Sequence, residues 1–258
     1  MKKPLDPEVA LAFERRAERA AALAPESPAA REPLEFAAGL YRAQGVMAAV
    51  LTERPLTGRL ADDLGAVHEP LGGVRRYVAR RGPAPLAAAA AERPDGSLLE
   101  WWQGARSGSD DYLARAELRA YVEVLAARGL RPDPVPADGG CGFCGSRPWI
   151  AWRRAEASSE GAQRFLGCGL CGGAWAVARI HCPSCGEEHP DKLPVFTSAR
   201  HPAVRLEACA TCRRYVKSLD LTVDARAVPE VDDLLSVAMD LWAADEGYTR
   251  LEPGLAGV

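Results

Sequence analysis

The sequence predicts an α+β protein: a helical N-terminal domain, then two tandem rubredoxin-like or zinc-ribbon modules, then a C-terminal helix. Three observations carry this prediction. Alanine, leucine, arginine and glutamate dominate up to Gly129, with apolar residues at helical spacing. A proline-rich stretch follows, and beyond it short alternating runs replace the helix signal. All eight cysteines fall in that second region, as four C-x-x-C pairs.

The helical part is expected near residues 7–24, 33–52, 57–64, 70–92, 97–106 and 110–128, with breaks at Pro25 to Pro28, Arg54-Pro55, Gly82-Pro83, Pro94-Asp95-Gly96 and Ser107-Gly108-Ser109. In the last of these helices Asp110 is placed to cap the start, Tyr112, Leu113, Ala116, Tyr121, Val124 and Leu125 form an apolar stripe, and Gly129 stops it. Residues 1–130 thus read as one helical domain and 131–140, with three prolines and two glycines, as a linker. Strands are expected at Trp149 to Trp152, Ala174 to Ile180, Val204 to Ala208 and Tyr215 to Leu221, which divides the cysteine region into modules at 141–181 and 182–222. In the remainder, 223–258, helical spacing returns from Glu230 to Glu246, with acids in the first turn that suit the helix dipole.

The cysteine pairs are Cys141/Cys144, Cys168/Cys171, Cys182/Cys185 and Cys209/Cys212, so the unit C-x2-C-x23-C-x2-C occurs twice. A two-residue turn aims both sulfurs of a pair at one point, and two pairs complete a tetrahedron. The simplest assignment is sequential, with Cys141, Cys144, Cys168 and Cys171 on one ion and Cys182, Cys185, Cys209 and Cys212 on a second; a nested or crossed arrangement is the alternative, because the middle pairs are close in sequence. Four thiolates suit iron or zinc. A full four-sulfur set leaves no open position for water or substrate, so Lewis-acid hydrolysis is not expected and the sites are structural or pass single electrons. Glycine follows the second cysteine at Gly145, Gly172 and Gly186, where the turn favours a positive backbone angle, but Arg213 stands in the fourth position. His181, His189 and His201 lie among the cysteines and are read as surface or supporting residues, since sulfur already completes both sets. Trp101-Trp102 is read as one ring in the core and one partly exposed, and Arg153-Arg154 and Arg213-Arg214 as solvated ribbon edges.

With 258 residues, 48% hydrophobic and 26% charged, the chain can build one or two cores. Its formal charge of −3 becomes about −7 once eight thiolates and two divalent ions are counted. A nucleic-acid-binding zinc module would show the opposite sign, which makes that reading the weakest. The opening residues carry charges without an apolar stretch, so no signal peptide, no stable membrane insertion and a cytoplasmic location are expected. No nucleophile and base constellation is visible, so the chain does not read as an enzyme.

The order of these features resembles the formate dehydrogenase accessory protein (FdhE) family. The resemblance rests on Cys168-Gly-Leu-Cys171-Gly-Gly-Ala-Trp175-Ala-Val-Ala-Arg179-Ile-His-Cys182-Pro-Ser-Cys185-Gly186, on Cys209-Ala-Thr-Cys212-Arg-Arg-Tyr215-Val-Lys217, and on Val231-Asp232-Asp233-Leu234 with Glu246-Gly247-Tyr248. It continues more loosely through Phe13-Glu14-Arg15-Arg16-Ala17, Pro33-Leu34-Glu35-Phe36 and Ala43-Gln44. It implies a helical domain beside a rubredoxin-like pair of metal sites, two ions with iron favoured and zinc as the second choice, and contact with the catalytic subunit of a respiratory molybdenum formate dehydrogenase during its maturation. A rubredoxin-like one-electron carrier is the alternative.

Overall fold

The computed structural model describes residues 8–94, 97–104, 108–133, 140–155 and 161–257. Linker residues 134–139 and Asp95-Gly96, where a break is expected, lie outside the described residues.

Among the described residues of the first half are six α-helices: α1 (Glu8–Leu23), α2 (Arg31–Thr52), α3 (Leu60–Arg81), α4 (Ala84–Glu92), α5 (Ser97–Trp102) and α6 (Gly108–Ala127). Their apolar stripes meet in one core that includes Phe13, Leu34, Tyr41, Met47, Leu60, Val74, Leu118 and Tyr121. The expected helices at 57–64 and 70–92 are replaced by α3 and α4, for two local reasons. The Asp63 carboxylate accepts the N–H groups of Thr57 (2.8 Å) and Gly58 (3.0 Å), which holds these residues in a turn ahead of α3. The helix then runs through Pro70, which cannot donate to the Ala66 carbonyl four residues back. The Arg54 guanidinium donates to that carbonyl instead, and the helix survives. At the end of α6, Gly129 adopts a φ of 68° and Leu130 N–H closes on the Leu125 carbonyl at 2.9 Å, the six-to-one bond of a Schellman stop. The helix begins two residues before Asp110, whose side chain lies outside the described residues. Trp101 and Trp102 are both buried, at 3% and 6% exposure, against the reading that placed one at the surface: Trp102 tucks beside Tyr121 and donates its indole N–H to the Asp133 carbonyl at 2.7 Å.

The second half is a single sheet of β1 (Pro148–Ala155), β2 (Ala162–Cys168), β3 (Ala174–Val177), β4 (Val195–Ser198), β5 (His201–Ala208) and β6 (Arg214–Asp220) in the order β3-β2-β1-β6-β5-β4, with β7 (Thr249–Arg250) also pairing β6. The sequence repeat is visible in that order. Each unit lays down three antiparallel strands, and the last strand of the second unit, β6, pairs in parallel with the first strand of the first unit, β1, through Ala151 to Ser218 and Trp152 to Leu219. Strands β2, β4 and β7 were not anticipated, and β3 stops at Val177, short of Ile180.

The C-terminal segment is not one helix. It is α7 (Pro229–Asp232), a 3₁₀ turn at Asp233–Ser236 and α8 (Val237–Asp245). The acids at its start point inward to tertiary cations rather than merely matching a dipole. Arg19 holds Asp232, Arg16 and Arg119 hold Glu230, and Lys217 and Arg250 hold Asp233. Met239 and Ala243 of α8 cover one face of the sheet through Val204, Leu206, Ala208, Tyr215 and Leu219. No helix among the described residues is long and apolar enough to cross a membrane.

Candidate metal centres

The eight sulfurs gather into two clusters, Cys141, Cys144, Cys168 and Cys171, and Cys182, Cys185, Cys209 and Cys212, each with all its Sγ atoms within 4.8 Å of one another. The grouping is the sequential one, not the nested alternative. Separations are 3.5 Å for Cys141 to Cys171, 3.4 Å for Cys144 to Cys168, and 3.7 Å for both Cys182 to Cys212 and Cys185 to Cys209. A disulfide requires about 2.05 Å. A tetrahedron with metal to sulfur bonds of 2.3 Å has edges of about 3.8 Å, which these separations approach. The donor set therefore fits a tetrahedral thiophilic ion in both places.

Each pair sits on a tight turn. The N–H of the residue after the second cysteine reaches back to the first cysteine's carbonyl, from Gly145 at 2.8 Å, Gly186 at 3.0 Å and Arg213 at 2.9 Å. That turn demands a left-handed residue. Gly145, Gly172 and Gly186 supply φ values of 72°, 65° and 77°, and Arg213 adopts 58° without the freedom of glycine. Its side chain stacks over the Tyr248 ring at 3.9 Å and donates to the Glu246 carbonyl, so contact with the C-terminal segment compensates the backbone strain. Backbone N–H groups also face the sulfurs, from Phe143 to Cys141, Leu170 and Cys171 to Cys168, Gly173 to Cys171, and Ser184 to Cys182, all at 3.4 Å. Such donors offset thiolate charge.

The two clusters differ in surroundings. All four cysteines of the first are buried and belong to the same core as the helices, while in the second Cys185 is exposed and Cys212 half-buried. In the first, hydrogen bonds among the sulfurs hold Cys144 and Cys171 up and Cys141 down. Burial pushes Cys182 up to about 12. Protons compete with a cation for the raised sulfurs, Cys144, Cys171 and Cys182, and metal uptake releases them. In the second cluster Glu187 joins the two turns: its carboxylate accepts Thr211 Oγ1 at 2.6 Å and the His189 N–H at 3.0 Å, which together hold its pKa down to about 2. None of His181, His189 and His201 joins either cluster among the described residues.

Sequence reasoning missed the charged residues that fix these units in place. Glu230 of α7 receives Arg16 of α1 at 2.5 Å, Arg119 of α6, and the Tyr41 hydroxyl of α2 at 3.1 Å. Arg16 and Arg119 share a second carboxylate, Glu123, at 2.9 and 2.8 Å, and Glu123 lies against Gly172 in the turn of the first cluster. Beneath the second unit, fully buried Lys217 pairs with Asp233 (2.9 Å) and Asp240 (2.5 Å), and Arg250 holds the same two acids at 3.0 and 3.2 Å. The paired arginines divide, with Arg154 and Arg213 exposed as solvated edges would be. Arg153 and Arg214 are half-buried, and Arg154 lies over the Phe165 ring at 4.9 Å.

Fold and clusters define a class: an α+β protein whose duplicated, rubredoxin-like ribbon carries two closed four-cysteine sites able to hold metal ions. Comparison with known proteins then narrows the class. Residues 180–255 match the family profile described as FdhE, C-terminal domain. The "Protein FdhE homolog" of Aquifex aeolicus is 36% identical over 117 residues, 45% of this chain and 41% of that protein. That of Pseudomonas putida is 32% identical over 145 residues, 55% of this chain and 45% of that one. The matched segment thus spans less than half the length of these curated relatives. The crystal structure of the FdhE protein from Pseudomonas aeruginosa superposes with a TM-score of 0.69 at 25% identity, covering 94% of both chains. Its sequence is thus similar to FdhE proteins over the C-terminal part, and its fold to an FdhE crystal structure over most of the chain.

Proposed function

We propose that the protein is a cytoplasmic accessory factor, not an enzyme, that binds the catalytic subunit of a respiratory molybdenum formate dehydrogenase and assists its assembly or activation. In this reading residues 1–130 form the helical domain, 131–140 the linker, 141–181 and 182–222 the two modules, and 223–258 the C-terminal helix and tail. Cys141, Cys144, Cys168 and Cys171 ligate one metal ion, and Cys182, Cys185, Cys209 and Cys212 a second, with iron favoured and zinc also suited to the donors. Neither nucleic acid nor a membrane is a partner. The observation that carries the reading is the likeness to an FdhE crystal structure across 94% of the chain, joined to two sulfur clusters that leave no coordination position for a substrate. Anaerobic affinity capture with the protein as bait tests it: retention of the dehydrogenase subunit is expected, with loss of formate oxidation when the gene is deleted. Capture of no subunit together with unchanged formate oxidation would refute it.

A second reading, one-electron transfer, draws support from the exposed Cys185, since an accessible cluster suits exchange with a partner's redox centre. Protein purified without oxygen would then show a ferric-thiolate absorption that bleaches reversibly on reduction. A colourless protein with two equivalents of zinc would exclude this reading.

A further inference from the structure

One face of the sheet lies under α8, and the other carries arginines. Register places Arg164 opposite Arg153, Arg153 beside Asp220, and Arg205 beside Ser218, so these side chains share the face that α8 leaves open. The connection joining the two cysteine units crosses that face and is pinned there by Arg164, which donates to the carbonyls of Ala178 (3.1 Å) and His181 (3.0 Å). Between connection and sheet lies a cavity of about 180 Å³ lined by Arg153, Arg164, Arg205, Arg214 and Glu207, with Cys182 and Cys209 of the second cluster at its edge.

Arginines outnumber carboxylates in this recess. Arg164 pairs with Glu207 at 2.8 Å, while Arg153 (3.9 Å) and Arg205 (3.2 Å) share the one Asp220 oxygen, whose neighbour oxygen is taken by Thr222. Arg214 is half-buried and makes no ion pair among the described residues. Four guanidinium groups, with that of Arg179 also in the lining, thus face two carboxylates, while Cys182 and Cys209 bring thiolate charge to one edge; the arginine-rich wall is concave and partly apolar, where fields concentrate. Guanidinium forks match the oxygen spacing of tetrahedral oxyanions. The cavity is smaller than the roughly 300 to 1,000 Å³ of sites that enclose a whole organic ligand, so it has room for an anionic group and not for a large body.

We infer that this recess binds a doubly charged oxyanion of the phosphate class, either free or as the terminal group of a phosphate monoester. It borders the second sulfur cluster, whose Cys182 and Cys209 form part of its edge.

Calorimetric titration of the full-length, metal-loaded protein at fixed ionic strength tests this, with inorganic phosphate, methyl phosphate and acetate as probes. Saturable one-to-one binding of phosphate or methyl phosphate is expected. Arg214→Gln should weaken it by about tenfold or more, the loss of one charge-assisted contact, with melting temperature and metal content unchanged. Arg205→Gln serves as the second variant and the exposed Arg200→Gln as a control. Tighter binding of phosphate assigns the free anion, and tighter binding of methyl phosphate assigns the ester. The inference is overturned by absence of saturation up to about 10 mM of either probe, by wild-type affinity in both cleft variants, or by acetate binding as tightly as phosphate.

Discussion

Replacing Glu230 with glutamine removes the charge at the junction of α1, α2, α6 and α7 while keeping the side chain's shape. In the folded protein Arg119 and Arg16 overcome the cost of burial and hold the Glu230 carboxyl near 2, against 4.5 in a free chain. Each whole pKa step is worth about 1.4 kcal/mol, so at neutral pH the ionised side chain contributes about 3 kcal/mol that glutamine cannot supply. This agrees with the ~3–5 kcal/mol expected when one member of a buried ion pair is removed, since Arg16 and Arg119 would be left sharing Glu123 alone. A depressed carboxyl contributes stability that is complete above its unfolded pKa and fades as pH falls toward the folded one. At pH 3 the wild type should exceed Glu230→Gln by only about 1.5 kcal/mol. Urea titrations of both proteins at pH 7 and pH 3, followed by far-ultraviolet circular dichroism, measure both differences. A gap below about 1 kcal/mol at pH 7, or one that stays constant with pH, would refute the argument that charge at this junction holds the C-terminal segment to the helices.

Three further outcomes follow from the same geometry. Metal bound to the two clusters should leave in two phases under a chelator, the faster from the site with exposed Cys185 and the slower from the buried one; Cys185→Ser should abolish only the fast phase, and equal release rates measured with a colorimetric metal indicator would contradict this. Lys217→Met should cost about 3–5 kcal/mol because Asp233 and Asp240 would then share Arg250 alone, with a smaller cost in the double variant that also carries Asp240→Asn, as a denaturant double-mutant cycle would report. At Arg213, alanine should destabilise by about 1–2 kcal/mol and glycine by less, because glycine relieves the left-handed strain while alanine loses the Tyr248 stack without relief; melting temperatures in the reverse order would refute the strain argument.

The sulfur geometry was legible in the sequence because its information is local: a C-x-x-C turn needs only its own residues, and the repeat interval assigns partners. Helical spacing likewise located α1, α2 and α6 to within a few residues. What resisted reading was set by distant residues. Pro70 signals a break, and only the arrival of Arg54 at the Ala66 carbonyl cancels it. Glu230, Asp232 and Asp233 look like a solvated helix start until Arg16, Arg19 and Lys217 are brought to them across the fold. Strand β2 contains Gln163, Arg164 and Gly167, a composition that suggests a loop, yet β1 and β3 pair it on both sides. Buried Arg164 makes sense only once Glu207, 43 positions later, is its neighbour.

The parallel seam between β1 and β6 also imposes an order of assembly. Strand β1 finds β2 immediately, but its other edge has no partner until residues 214–220 have been made. During synthesis the first ribbon therefore waits with an unprotected strand edge, the kind of surface that invites pairing with another chain. When β6 closes that edge it brings Lys217 and Tyr215, which in turn receive Asp240 and Arg250 of the C-terminal segment. Closure of the sheet and docking of the tail thus belong to one late event, and truncation between β3 and β6 would produce a chain that holds all four cysteines of the first cluster while the free edge of β1 remains open to aggregation.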